Sequence, residues 1–210
     1  MSNKVLKYLS LMRIKNLKIA LSSVKKFTKV SYKLEQYMTP PELAALAIYT
    51  IHTEYNDIED KVVMDLCCGT GMLAIGCSFF SPACLIGVDI DKEALEVFKN
   101  NLREFEVECD LIRSDLNNFE VEPGIVHTIV MNPPFGTKIK HQDVNALDKA
   151  LKIAKVVYSM HKKSTRDFLL KKYPGSKVIA QMKYDLPRTY DFHKSKNKVI
   201  DVDFIRFTKS

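Results

Sequence analysis

The first 34 residues contain no Asp or Glu, and the chain has no CxxC pair, no internal repeat and no long uninterrupted apolar run at its start. Each absence narrows the reading. None of the five cysteines (Cys67, Cys68, Cys77, Cys84 and Cys109) has a His at ligand spacing, so no zinc or other metal site is expected. Their apolar surroundings suit reduced, buried thiols inside a cell. A secretory leader needs an apolar stretch that the first 30 residues lack, so none is expected. Leu66 to Val88 is uncharged, but Gly69, Gly71, Gly76, Pro82 and Gly87 interrupt it, and Asp65 and Asp89 bracket it. That pattern predicts a strand, a glycine turn, a helix and a second strand rather than a membrane span, and no membrane partner.

What is present at the amino end is positive charge. Nine Lys or Arg residues fall within positions 1–34, more than the net charge of +7 for the whole chain. The remainder is therefore slightly acidic, and the excess charge is confined to a basic arm that suits a polyanionic partner. Apolar residues at 6, 9, 17, 20, 21 and 24 are compatible with a basic amphipathic helix. A folded domain is expected over 35–210, a length that suits one α/β unit with one substantial core. Thr39-Pro40-Pro41-Glu42 combines an N-cap, a proline for the first helical position and a capping-box acid, and it predicts a helix over about 40–52.

Beyond residue 61 strands and helices alternate. Strands are expected at 61–66, 85–88, 109–113, 125–131, 156–160, 177–183 and 199–207, and helices near 72–80, after Asp91, near 146–154 and after Ser164. The alternation implies a Rossmann-like, doubly wound α/β sheet of seven strands. The last two strands have no helix between them and should pair antiparallel. Ligands in such sheets sit beyond the carboxyl ends of the strands.

Chemistry-bearing residues fall at those ends. Asp65-Leu66-Cys67-Cys68-Gly69-Thr70-Gly71 closes the first strand, where glycines allow close backbone approach and a sharp turn into a helix. Such a turn could serve NAD, FAD or S-adenosylmethionine, or be only a tight turn. Asp89, eighteen residues after Gly71, closes the second strand and can accept both ribose hydroxyls of a nucleoside; helix capping falls better to Asp91. Asp115, ending the third strand, could bind an adenine amino group or cap its own loop.

Asn132-Pro133-Pro134-Phe135 follows the fourth strand directly. Two prolines stiffen the chain and leave carbonyls pointing outward. The Asn132 amide oxygen and the Pro133 carbonyl can accept both hydrogens of an NH₂ group, aligning the nitrogen lone pair with a sulfonium methyl. Phe135 could supply a stacking face for a planar base or amide. In isolation the tetrapeptide also suits a rigid turn with a buried Phe. No general base is evident, and alignment with preorganised acceptors can carry the rate.

Together these residues resemble the class I methyltransferases that modify exocyclic or amide nitrogens, and within them the methyltransferase-like 5 family of small-subunit ribosomal RNA N6-adenine methyltransferases. The resemblance spans 34–210 and includes Leu34-Glu35-Gln36-Tyr37, Asn132 to Lys138, Tyr184-Asp185-Leu186-Pro187, Phe192-His193-Lys194 and Ile205-Arg206-Phe207. It implies that S-adenosylmethionine is the cofactor, contacted by Gln36, Thr39, Cys67, Thr70 and Met72. Asp89 would hold the ribose, Asp115 and Leu116 would flank the adenine, and Asn132 to Phe135 would hold the target base. It also implies a small zinc-containing activator subunit that adds a strand to the sheet edge, here 109–113, and a nuclear, nucleolar and cytoplasmic location.

Lys138, Lys162 and the basic loop with Arg188, His193, Lys194, Lys196 and Lys198 are candidate contacts to the RNA. Two features depart from the family. Cys67 stands where its D-x-G-x-G-x-G pattern has the first glycine, and the arm at 1–34 is longer and more basic than the family's amino end. Mitochondrial import is a second reading of that arm. A protein glutamine methyltransferase would use the same amide clamp, and an inactive RNA-binding scaffold would keep the fold; the basic segments favour RNA.

Overall fold

The computed structural model describes residues 13–31, 33–136, 142–186 and 198–208. Seven strands form one sheet: β1 (Val62–Leu66), β2 (Cys84–Asp89), β3 (Asp110–Arg113), β4 (Thr128–Met131), β5 (Val156–Lys162), β6 (Lys177–Leu186) and β7 (Lys198–Thr208). Their order is β3-β2-β1-β4-β5-β7-β6. The first five run parallel, and β7 inserts antiparallel between β5 and β6. The doubly wound sheet with a closing antiparallel pair is the expected one.

Helices cover both faces. On one side lie α1 (Ile14–Leu21), α2 (Pro41–Thr50), α3 (Met72–Ser78) and α4 (Lys92–Phe105), packed around Ile48, Ile75 and Phe98. On the other, α5 (Gln142–Ile153) and α6 (Arg166–Lys172) bury Leu147, Ala150 and Leu169 against β4, β5 and Phe207 of β7. β4 is buried at every position, as a central parallel strand covered on both faces must be. It starts three residues later than expected: Ile125 is half exposed, and pairing with β1 begins at Thr128.

The division at residue 34 is not what the chain adopts. Leu17 and Leu21 of α1 are fully buried and Val24 nearly so, all within the core under α2 and α3. The part of the apolar stripe from Leu17 to Val24 therefore belongs to the domain, while residues 6 and 9 lie outside the described residues and Arg13, Lys15, Lys18, Lys26 and Lys29 stay exposed. The uncharged stretch 66–88 forms the strand end, turn, helix and strand that its glycines imply. Among the described residues, no helix is long and apolar enough to cross a membrane.

Candidate active site

The carboxyl ends of β1, β2 and β4 open into one cavity of about 710 Å³. The turn after β1 forms its floor. Gly69 and Gly71 adopt left-handed φ of +53° and +88°, which glycine tolerates without a Cβ clash. A Cβ at Gly71 would come within 2.1 Å of Phe98, so this glycine lets the turn pack against α4 and is not part of the lining. Cys67 takes a left-handed φ of +62°, a conformation unfavourable for a side-chain-bearing residue, at the position where the resembled family has glycine.

Two carboxylates anchor the turn. Asp65 is 1 % exposed and accepts from the Ala74 backbone N–H at 2.9 Å. Burial lifts its pKa to about 8, against the lowering effect of that hydrogen bond and with a further push from the nearby Asp89 charge. Asp89 accepts the Gly69 N–H at 2.8 Å on one oxygen and the Asp91 N–H at 2.9 Å on the other. Burial raises its pKa too, while those N–H donors hold it down. Each carboxylate oxygen retains a second lone pair, so ribose hydroxyls can still be accepted. Asp91 caps α4 as expected, accepting from Glu93 N–H at 2.9 Å.

Asn132 stands at the end of β4 on the same cavity. Its amide nitrogen donates to the Thr39 hydroxyl at 3.0 Å. Among the described residues its Oδ1 is buried and has no hydrogen-bond partner. A buried orphan acceptor costs roughly 1–3 kcal/mol, and folds keep one where a ligand completes it. Thr39 does not cap α2: the N-cap is Pro40, with no side-chain bond, because the hydroxyl is committed to Asn132.

Of the expected residues, Gln36, Thr39, Asp65, Cys67, Gly69, Thr70, Met72, Asp89, Asp115, Leu116, Asn132 and Pro134 line the cavity, whereas Gly71, Pro133 and Phe135 do not. Phe135 is 5 % exposed. Its ring stacks on Tyr37 with centroids 5.3 Å apart, and Tyr184 meets both rings edge-on. The open stacking face expected of Phe135 is thus taken by Tyr37, which does line the cavity. Lys162 lies beside this cluster, 5.8 Å from the Phe135 ring centre. Gln36 spans Ser31 and Asp91 with its amide, at 2.7 and 2.5 Å, so it fastens the entrance segment to α4. Asp115 caps its loop, accepting from Asn117 N–H at 2.9 Å, and it also lines the cavity.

Lys138, Arg188, His193, Lys194 and Lys196 lie outside the described residues. Sequence reasoning missed Phe27, Lys33 and Tyr37 in the lining, and one face of α5. That face carried a readable signal, since Gln142, Asn145, Lys149 and Lys152 are polar residues at helical spacing. A second polar chain is no rival site. Ser159, His161 and Asp143 are linked at 2.8 and 3.3 Å, but all are buried outside the lining, where they tie α5 to β5.

A nucleoside-sized cleft at the strand ends, with a carboxylate that keeps free lone pairs and an amide oxygen unpartnered among the described residues, has the form of a class I methyltransferase site. Residues 45–159 match the family described as methyltransferase small domain. Over nearly the whole chain the protein is 42% identical to the rRNA N(6)-adenosine-methyltransferase METTL5 of Danio rerio, covering 94% of this chain and 99% of that one. It is 37% identical to the Drosophila melanogaster rRNA N(6)-adenosine-methyltransferase Mettl5, covering 93% and 96%. The crystal structure of a candidate RNA methyltransferase from Pyrococcus horikoshii superimposes with a TM-score of 0.83 at 38% identity, covering 95% and 98%. The chain belongs to this family of N6-adenosine methyltransferases.

Proposed function

We propose that the chain transfers the methyl group of S-adenosylmethionine to the exocyclic N6 of an adenine in small-subunit ribosomal RNA. The observation that carries this reading is Asn132 Oδ1, a buried acceptor without a partner among the described residues, on a side chain that lines a nucleoside-sized cleft. The residues present fit the cofactor: Gly69, Thr70 and Asp89 line the cavity, and Asp89 keeps lone pairs for a ribose. S-adenosylmethionine supplies an activated methyl group on a cationic sulfur.

Asn132 Oδ1 would accept an N6 hydrogen and aim the nitrogen lone pair at that methyl. Thr39 keeps the amide oxygen, not the nitrogen, turned to the amine. Tyr37, backed by Phe135 and edged by Tyr184, offers the stacking face for the base. Once methylated, the nitrogen loses a proton to solvent. Fixed acceptors rather than a general base supply the rate.

The substrate class is supported by the relatives and by exposed cations on α1 and the segment after it. Burial of Leu17 and Leu21 argues against a removable mitochondrial leader, because cleavage beyond them would open the core. Removing 1–12 should spare cofactor binding and lower the salt dependence of RNA affinity. A nuclear, nucleolar and cytoplasmic location fits this substrate.

Incubation with methyl-labelled S-adenosylmethionine and ribosomal RNA, followed by nucleoside analysis, tests the reading. Label in N6-methyladenosine is expected. Label in a methylated glutamine of added protein, or intact cofactor binding with no transfer to either, would replace it with one of the two alternatives.

A further inference from the structure

Asn101 of α4 is fully buried, and its amide is used on both sides. Oδ1 accepts the Lys25 N–H at 2.9 Å, while Nδ2 donates to the Lys25 carbonyl at 3.2 Å and to the Thr70 carbonyl at 2.9 Å. One side chain thus pins the basic segment and the glycine turn to the same helix, across 76 residues of chain. A buried amide with its partners in place holds geometry firmly, since any displacement strands a polar group.

Two residues beyond Lys25, the Phe27 ring lies over the turn. A Cβ built on Gly69 would come within 2.9 Å of Phe27 Cζ. The apolar residues before it, Leu17, Leu21 and Val24, are buried in the core, whereas Phe27 is only partly buried and lines the cavity. Packing under α2 does not require this ring. Its exposed part faces the cleft.

We propose that Phe27 is a cofactor-binding residue, forming a wall of the S-adenosylmethionine site over Gly69, on the segment that the Asn101 hydrogen bonds tie to the turn. The proposal rests on the cavity assignment above. A bound nucleoside completes the burial of the ring, so cofactor and basic segment stabilise each other.

Titration calorimetry with S-adenosylhomocysteine separates the possibilities. Phe27→Ala should bind about tenfold more weakly, and Phe27→Tyr within about threefold of the native chain, with apo thermal midpoints unchanged. Asp89→Ala serves as the control for the cavity. Full affinity in Phe27→Ala beside a loss in Asp89→Ala overturns the role of Phe27; full affinity in both overturns the cavity assignment itself. Limited trypsin digestion of the native chain tests the wall even where Phe27→Ala fails to fold. S-adenosylhomocysteine should slow cleavage after Lys26 and Lys29, and cleavage at an unchanged rate would contradict the proposal.

Discussion

The Asn132 amide nitrogen donates to the Thr39 hydroxyl at 3.0 Å, and this bond leaves the amide oxygen as the end without a partner among the described residues. Without it the side chain could turn its nitrogen to the cleft, presenting a donor where an acceptor is needed. Thr39→Val should therefore lower the rate of methyl transfer roughly tenfold to a hundredfold while leaving cofactor affinity intact. Thr39→Ser should restore the rate. If calorimetry instead shows weaker cofactor binding with an unchanged rate, Thr39 is a cofactor contact and not the residue that orients the amide.

Cys67 carries a side chain in a left-handed conformation at φ +62°. Cys67→Gly should stabilise the fold by roughly 1 kcal/mol, read as a higher denaturant midpoint with an unchanged slope. Cofactor affinity should hold or improve, because a Cβ leaves the turn. A drop in stability would mean that the thiol's packing outweighs the backbone strain.

Asp65 couples stability to pH. Its pKa in the fold lies near 8, against 3.8 for an unperturbed carboxylate. The folded state therefore holds the proton more tightly, and this contribution to stability is full below pH 3.8 and lost as pH rises through about 8. Asp65→Asn keeps an oxygen for the Ala74 N–H and removes the titration. Unfolding free energies measured from pH 5 to pH 9 should fall less with pH in the variant than in the native chain. Parallel curves would show that Asp65 is ionised throughout.

β3 is one of the two edge strands of the sheet, and the parallel one. Ser114 N–H bonds inward to the Asp89 carbonyl, so by alternation the backbone groups of Arg113 and Leu111 face outward. A small zinc-containing activator that adds a strand here would cover a bare edge. Leu111→Pro removes one outward donor and should abolish co-purification with such a subunit on co-expression. An intact complex would place docking elsewhere.

Much of this site was legible because each piece is a short contiguous string at a strand end: Asp65 to Gly71, Asp89, and Asn132 to Phe135. The parallel order then brings those strings together. What stayed hidden depends on long-range contact. Nothing local shows that Asn101 grips Lys25, that Phe27 lies over Gly69, or that Tyr37 covers Phe135. Thr39 misled for the same reason, since its spacing to Glu42 fits a cap while its partner lies 93 residues away. The basic segment misled by composition: its described charges are exposed, but Leu17 and Leu21 fill the core.

Asn132→Ala tests the central claim most directly, by single-turnover transfer to ribosomal RNA alongside calorimetry with S-adenosylhomocysteine. The orphan oxygen should act mainly in the transition state, so the transfer rate should fall by about a hundredfold or more with cofactor affinity nearly unchanged. A rate close to that of the native chain would contradict the assignment of Asn132 as the acceptor that holds the adenine amine.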